Sequence, residues 1–263
     1  MQVPSFNLLG IHFNAMTAQD LINVTTRAID GRARCIIGNH NLHGLYFWYK
    51  EPKMREYNSL ADYTNAEGMS LVLLGRLFGL PIERKHRCAY IDLLPILADT
   101  ACRNSWRMFY LGSGPGVAEK AAVRLRTKHP GLQIRTHHGR FNAERSGVEN
   151  QKVLAEINDY DPDILMVGMG MPRQETWVVE NNANISALAI YCCGALMDYV
   201  AGEIPTPPRW MGAIGIEWLY RLFSEPARLW QRYLIEPWFV LGQLGRQYLA
   251  MQTPKVLGGG HQK

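Results

Sequence analysis

No stretch of this sequence is long and apolar enough to cross a bilayer. The ~18–20 uninterrupted apolar residues that a spanning helix needs are never reached. Arg76 breaks "LVLLGRLFGLPI", and Glu236 and Arg246 bracket the longest late run. The opening "MQVPSFNLLGIHF" has neither the basic lead nor the apolar centre of a secretory leader, so none is expected. Cysteine is sparse: Cys35, Cys88, Cys102, Cys192 and Cys193 are odd in number and form no CxxC pair. That pattern argues against a disulfide framework and a zinc site, and it predicts reduced, mostly buried thiols in a cytoplasmic protein. Lysine is also scarce, since 20 of the 28 basic residues are arginine. There is no internal repeat or low-complexity linker; the "LGGGHQK" tail (within residues 252–263) is expected to be disordered.

What is present is a globular composition. The 263 residues are 47% apolar and 19% charged, which excludes a disordered chain and allows a substantial core. The net charge of +5 points to an anionic partner, and planar guanidinium groups suit phosphate, carboxylate or a lipid interface. Apolar β-type runs alternate with helical patterns, the mark of a parallel sheet flanked by helices. Strands are expected at "RCIIGN", "RMFYLGSG", "LQIRTHHG", "DILMVGMG" and "LAIYCCGALMDY", and helices at "LHGLYFWYKEP", "MSLVLLGRLFGL", "GVAEKAAVRLRTKHP" and "ENQKVLAEINDY". From Trp210 the pattern turns to helix, aromatics and arginine, so residues 1–205 form the α/β domain and 206–251 a helical appendage.

Ligands of open parallel sheets bind at the carboxyl ends of the strands, which sorts the loops. "LGSGPGVAEKAA" sets Gly112, Ser113, Gly114 and Gly116 between strand and helix, a phosphate cradle or simply a tight turn. It lacks the P-loop lysine, and Pro115 departs from GxGxxG. "GMGMPRQE" puts Gln174 and Glu175 where they could bond a sugar or base; the plainer reading is a helix start with Pro172 near its first position. Glu67, in "YTNAEGMSLVLL", is either an acid favouring a helix terminus or a general base at the edge of a cleft. Asp159-Tyr160-Asp161 precedes its strand and reads as a solvated loop, and the adjacent His137 and His138 of a strand should face opposite ways and share no metal.

The stretch "IEWLYRLFSEPARLWQRYLIEPWF" interleaves aromatics with arginine and has no lysine. Ser224 as N-cap and Pro226 in a first turn divide it into helices over 215–223 and 225–235. Arg228 and Arg232 then share one face, with Leu229, Trp230, Tyr233 and Leu234 on the other, while Arg221 lies away from Trp218, Leu219, Leu222 and Phe223. Either the two helices pack in a core with a basic outer face or they lie at a membrane surface. Four of the seven tryptophans, Trp210, Trp218, Trp230 and Trp238, fall in this last quarter, which favours the membrane.

Taken in order, "FYLGSGPGVAEKAA", "HPGLQI…HHGRF", "DILMVGMGMPRQE" and "GIEWLYRLFSEPARLWQRY" resemble the WecG/TagA/CpsF family of bacterial glycosyltransferases over residues 7–240. The resemblance implies a Rossmann-like fold and an inverting enzyme that needs no metal or cofactor. It also implies a peripheral position on the cytoplasmic face of the inner membrane. Its partners would be a UDP-sugar donor and a polyprenyl-diphosphate-linked saccharide acceptor, with no nucleic acid; a homo-oligomer is possible in principle. The family's catalytic Asp-Gly falls on Glu67-Gly68, and its Thr-x-Asn on Asn39-His40-Asn41. Its Arg-x-x-Gly-x-Asp falls on Arg87, Tyr90 and Asp92 with the glycine lost, and its Arg-Ala-Pro-x-Trp on 206–210, including Arg209. Gln174 matches the family's glutamine, and the late arginines match its basic appendage. "AEGM" with "PTPPRWMG" is most similar to the xanthan- and acetan-type β-1,4-glucosyltransferases of the family, implying a glucose donor and a lipid-linked glucose acceptor. The alternative within the family is a UDP-N-acetylmannosamine or -uronate donor. A dinucleotide-binding oxidoreductase is the rival from another class, and "GSGPG" lacks its fingerprint spacing. A pure membrane-binding module is a weaker third, since it needs no glycine-lined strand ends.

Overall fold

The computed structural model describes residues 3–8 and 10–252, with backbone alone at 209, 213 and 247–252. The expected disordered tail thus lies almost wholly outside the described residues. Strands β1 (Ser5–Leu8) and β2 (Ile11–Asn14) form an antiparallel hairpin. Strands β3 (Cys35–His40), β4 (Tyr63–Ala66), β5 (Arg107–Gly112), β6 (Gln133–His137), β7 (Ile164–Gly168) and β8 (Ala189–Cys192) form a six-stranded parallel sheet. Their order is β4-β3-β8-β7-β5-β6.

Side chains alternate across a strand, and here the alternation supplies two cores. Cys35, Ile37, Met108, Tyr110, Ile164, Met166, Ala189 and Tyr191 belong to one, under helices Ala18–Asp30, Tyr90–Arg103 and Val117–Lys128. Ile36, Phe109, Leu111, Leu165, Val167, Ile190 and Cys192 belong to the other, under Pro52–Leu60, Val148–Tyr160 and Arg173–Asn181. Such two-sided burial is why the central strands read as continuous apolar runs. All five cysteines are free thiols.

The adjacent strands β3 and β8 part company at their carboxyl ends. Leu196, Met197 and Ala201, in the helix after β8, pack into the first core. Leu45, in the helix Leu42–Lys50 after β3, packs into a third cluster that includes Leu8, Ile11, Phe13, Met69 and Val72. This divergence is the topological switch point at which an open α/β sheet leaves a crevice. The third cluster also contains Val240 and Leu244 of helix Glu236–Gln252, so the late helices share a core with the first part of the chain.

The glycines at the ends of β5 and β7 serve the sheet itself. Gly112 and Gly168 are register partners, and a Cβ on Gly112 would lie 2.3 Å from the Gly168 carbonyl oxygen. A Cβ on Gly168 would lie 2.1 Å from the Tyr110 hydroxyl. Close strand contact accounts for both residues without a ligand.

Several elements escaped the sequence reading. The hairpin, strand β4 and helices Ala18–Asp30 and Tyr90–Arg103 were not anticipated. Thr17 and Asp20 form a capping box that announces the first of these helices in the sequence, whereas Pro95 inside the second obscures it. Ser224 is no N-cap: it ends helix Glu217–Ser224 and donates its hydroxyl to the Tyr220 carbonyl, and helix Pro226–Leu234 follows from Glu225. Asp159 and Tyr160 belong to the last turn of Val148–Tyr160, not to a loop. The His137 and His138 rings lie 4.5 Å apart rather than on opposite faces, because β6 ends at His137 and the alternation ends with it.

One buried carboxyl gives the fold a pH signature. Glu175, 1% exposed at the start of Arg173–Asn181, takes a hydrogen bond from Gln174 Nε2 at 2.7 Å, while its Oε2 has no partner among the described residues. Burial pushes its pKa from 4.5 up to about 7. An acid whose folded pKa is raised binds its proton more tightly in the native state, so stability falls as pH rises between the two values. Glu175→Gln removes that penalty. Its melting temperature, measured against the parent by calorimetry, should gain progressively from pH 4.5 to pH 7 and level off above.

Candidate active site

Glu67 follows directly from β4, and its backbone N–H donates to the His40 carbonyl at 2.9 Å, tying it to the end of β3. Asn41 does two things there. Its Oδ1 accepts from the Gly44 N–H at 3.2 Å as N-cap of Leu42–Lys50, and its Nδ2 donates to Glu67 Oε2 at 2.9 Å. The cap fixes the asparagine, and the asparagine fixes the carboxylate. Glu67 is half-buried, and Gly68 behind it caps helix Met69–Leu77. Its neighbours Asn39 and Asn65 are buried side by side as register partners of β3 and β4.

The late helices roof this position. Gly215 sits against Met69, its notional Cβ 3.2 Å from Met69 Cγ, and Gly212 sits against the Arg87 guanidinium at 2.9 Å. Arg87 is bound to the roof: its Nη2 lies 2.9 Å from Glu217 Oε2, and its Nη1 3.6 Å from Asp92 Oδ2. Backbone pairing of Ala66 with Arg87 sets this cluster beside Glu67. Arg87, Asp92, Tyr199, Pro208 and Glu217 line a small cleft open to solvent.

Arg221 and Arg232 bring positive charge to the same carboxylate. Burial lowers the Arg221 pKa, but Tyr233, Tyr199, Glu67 and Glu217 more than offset this and leave it raised. Arg232 is lowered by burial, with Glu67 among the groups that oppose it. The Arg221 guanidinium lies 5.5 Å from the Tyr199 ring centroid, while its Nε and the Tyr199 hydroxyl are buried without hydrogen-bond partners among the described residues. Next to Arg232, Glu236 Oε2 lies 2.6 Å from Nδ1 of His43, two residues beyond Asn41. Burial lowers the His43 pKa, and the bond to Glu236 works against it.

The glycine loop borders the crevice from the far side. Ser113 Oγ donates to Asp198 Oδ2 at 3.0 Å, and burial raises the Asp198 pKa despite that bond. Gly114 leaves open space, with only Val117 within 4 Å of a notional Cβ. Gln174 is buried and lies beneath the crevice: its Oε1 accepts from the Gly170 and Gly194 N–H groups at 3.1 and 3.0 Å, stitching the loops after β7 and β8. Gln174 and Glu175 are both buried, bonded to each other and, through Gln174, to the loops after β7 and β8. Arg228 is exposed and held by Glu225 at 2.6 and 2.7 Å, one helical turn before the less exposed Arg232. Arg209 opens helix Arg209–Ile214, and its side chain lies outside the described residues. Asn65, Asp198, Tyr199, Glu217 and the His43–Glu236 pair were missed by the sequence reading, since each depends on a neighbour distant along the chain.

The outer face of the roof is apolar. Trp210 is 60% exposed and Trp238 73%, with Ile214, Trp218, Phe223, Trp230, Leu234 and Ile235 also exposed. Helix Met69–Leu77, in contact with Arg209–Ile214, adds exposed Leu73 and Leu77. No described helix is long and apolar enough to cross a membrane.

Comparison with known proteins places these features. A protein of Bacillus spizizenii, named N-acetylglucosaminyldiphosphoundecaprenol N-acetyl-beta-D-mannosaminyltransferase, is 27% identical over 74% of this chain and 73% of its own. One of the same name from Staphylococcus aureus is 24% identical over 85% of this chain and 86% of its own. Neither is a glucosyltransferase, so the expected kinship with the xanthan-type enzymes is not supported by these relatives. The model of the glycosyl transferase WecG/TagA/CpsF family matches residues 6–253, and the chain, with its roofed carboxylate at the sheet switch point, belongs to that family.

Proposed function

We propose that this protein transfers a sugar, with inversion, from a UDP-sugar to a polyprenyl-diphosphate-linked saccharide at a membrane surface. The observation that carries this reading is Glu67, held by Asn41 at the end of the sheet and within electrostatic reach of Arg221 and Arg232. Glu67 takes the proton of the acceptor hydroxyl as that oxygen attacks the anomeric carbon, a role that contributes about 10²–10⁴-fold. The C–O bond to the nucleoside diphosphate breaks as the new one forms, and the leaving diphosphate needs preorganised positive charge. Arg221 and Arg232 supply it from the roof, with backbone N–H groups near Gly114 on the opposite side. Arg87 and Asp92 hold the roof in register through Glu217. The apolar outer face rests on lipid, where a polyprenyl-linked acceptor is confined.

The names of the relatives support an N-acetylmannosamine-type donor and an N-acetylglucosaminyl-diphospho-polyprenol acceptor. A glucose donor with a lipid-linked glucose acceptor is the second reading, favoured by Glu67 and Tyr90 standing where the family motifs have aspartate and glycine.

Mass spectrometry of the lipid product, with each acceptor and a panel of UDP-sugars, separates the two. The expected gain is one N-acetylhexosamine; a gain of one hexose selects glucose, and no product on either acceptor overturns the transferase reading. Glu67→Gln should retain UDP binding by calorimetry and lose at least about 100-fold in kcat; a near-normal rate removes Glu67 from the role. For the membrane, truncation is a poor test because Val240 and Leu244 are core residues. Joint replacement of the exposed Trp210, Trp230 and Trp238 by serine should instead leave the melting temperature near the parent's and abolish co-sedimentation with anionic liposomes.

A further inference from the structure

Asn39 and Asn65 form a polar floor that the proposed chemistry does not yet use. They are register partners in a parallel pair whose ladder runs one residue past both strands, through the Glu67 N–H to the His40 carbonyl with Asn41 extended, so Asn41 and Glu67, two residues on, return to the same face. The outer two are bonded to one another at 2.9 Å. The inner two are 3% and 0% exposed. Asn65 Nδ2 donates to the Cys88 carbonyl at 3.1 Å, but the Oδ1 atoms of both Asn39 and Asn65 are enclosed and receive no hydrogen bond among the described residues. Cys88, whose carbonyl Asn65 holds, donates its own N–H to the carbonyl of Ala66, the residue before Glu67, at 2.9 Å.

Two adjacent amide oxygens without donors are costly to bury. Apolar residues of similar size would fill the same space at less cost. An amide oxygen accepts and cannot donate, so its complement is a hydroxyl or N–H. Phosphate oxygens, themselves acceptors, have no business there.

We propose that Asn39 and Asn65 are the hydroxyl-reading floor of the sugar subsite, their Oδ1 atoms accepting from hydroxyls of the sugar whose reacting atom lies against Glu67. The inference rests on the reading of Glu67 as the base, and it adds Asn65 as a binding residue that determines specificity. A site built to bond hydroxyls discriminates strongly against sugars that lack them. The sugar could belong to the donor or to the acceptor, and the kinetics tell these apart.

The test is Asn65→Leu, which keeps the bulk and removes the acceptor, with Asn65→Ala as a second variant should the first fail to fold. The expected result is a melting temperature no more than a few degrees from the parent's, unchanged affinity for UDP, and KM raised roughly 10- to 100-fold for one sugar substrate alone. A rise for the UDP-sugar assigns the floor to the donor, and a rise for the lipid-linked saccharide assigns it to the acceptor. A binding readout stands beside the kinetics: the extra thermal stabilisation that UDP-sugar, or the lipid-linked saccharide, gives the parent over UDP alone should vanish in the variant. That comparison is independent of turnover, so it remains decisive if Glu67 proves not to be the base. Unchanged KM values with unchanged ligand stabilisation would overturn the proposal, as would a loss of UDP affinity in step with that of the sugar.

Discussion

The hydrogen bond from Asn41 to Glu67 is the constraint on which the rest of the site depends. One side chain ends strand β3, starts the next helix and holds the carboxylate that ends β4. Parallel pairing brings those two strand ends level, and the switch point beside them opens the crevice. The arginines, by contrast, come from helices more than 150 residues further along the chain and depend on the roof being docked.

Docking uses different physics at different places. Near the cleft it is ionic, through Glu217 with Arg87, which Asp92 also holds, and a hydrogen bond joins His43 to Glu236. Further out it is apolar, through Val240 and Leu244. Half-buried ion pairs contribute little net stability unless geometry is good, but breaking one leaves an uncompensated charge. They therefore serve register better than strength, setting where Arg221 and Arg232 fall while the apolar contacts hold the helices down.

The sheet was legible in the sequence because its central strands are apolar on both faces and end in glycines. Glu67 was legible as a candidate because strand ends are where such folds bind ligands, Asn41 through the resemblance to the family's Thr-x-Asn motif, and the late arginines through their interleaving with aromatics and the family's basic appendage. Other features were hidden for identifiable reasons. Strand β4 is four residues long and half polar, Tyr63 to Ala66, so it carries little apolar signal. Gly112 looks like a phosphate-loop glycine, but its need for space comes from Gly168, more than fifty residues away. Gln174 looks like a ligand-binding amide, and only burial reveals that backbone N–H groups after β7 and β8 occupy it. The tryptophans fit a core as well as a membrane until their exposure is known.

The third hydrophobic cluster joins the first strands of the chain to its last long helix. Phe13 and Ile11 share that cluster with Val240 and Leu244, so it can close only after residue 244 has left the ribosome. Contacts this distant in sequence carry a large loop-closure entropy and form late. The exposed tryptophans of the roof emerge in the same interval. Assembly of the arginine side of the crevice is then a closing step, taken after the sheet that carries Glu67 has been made.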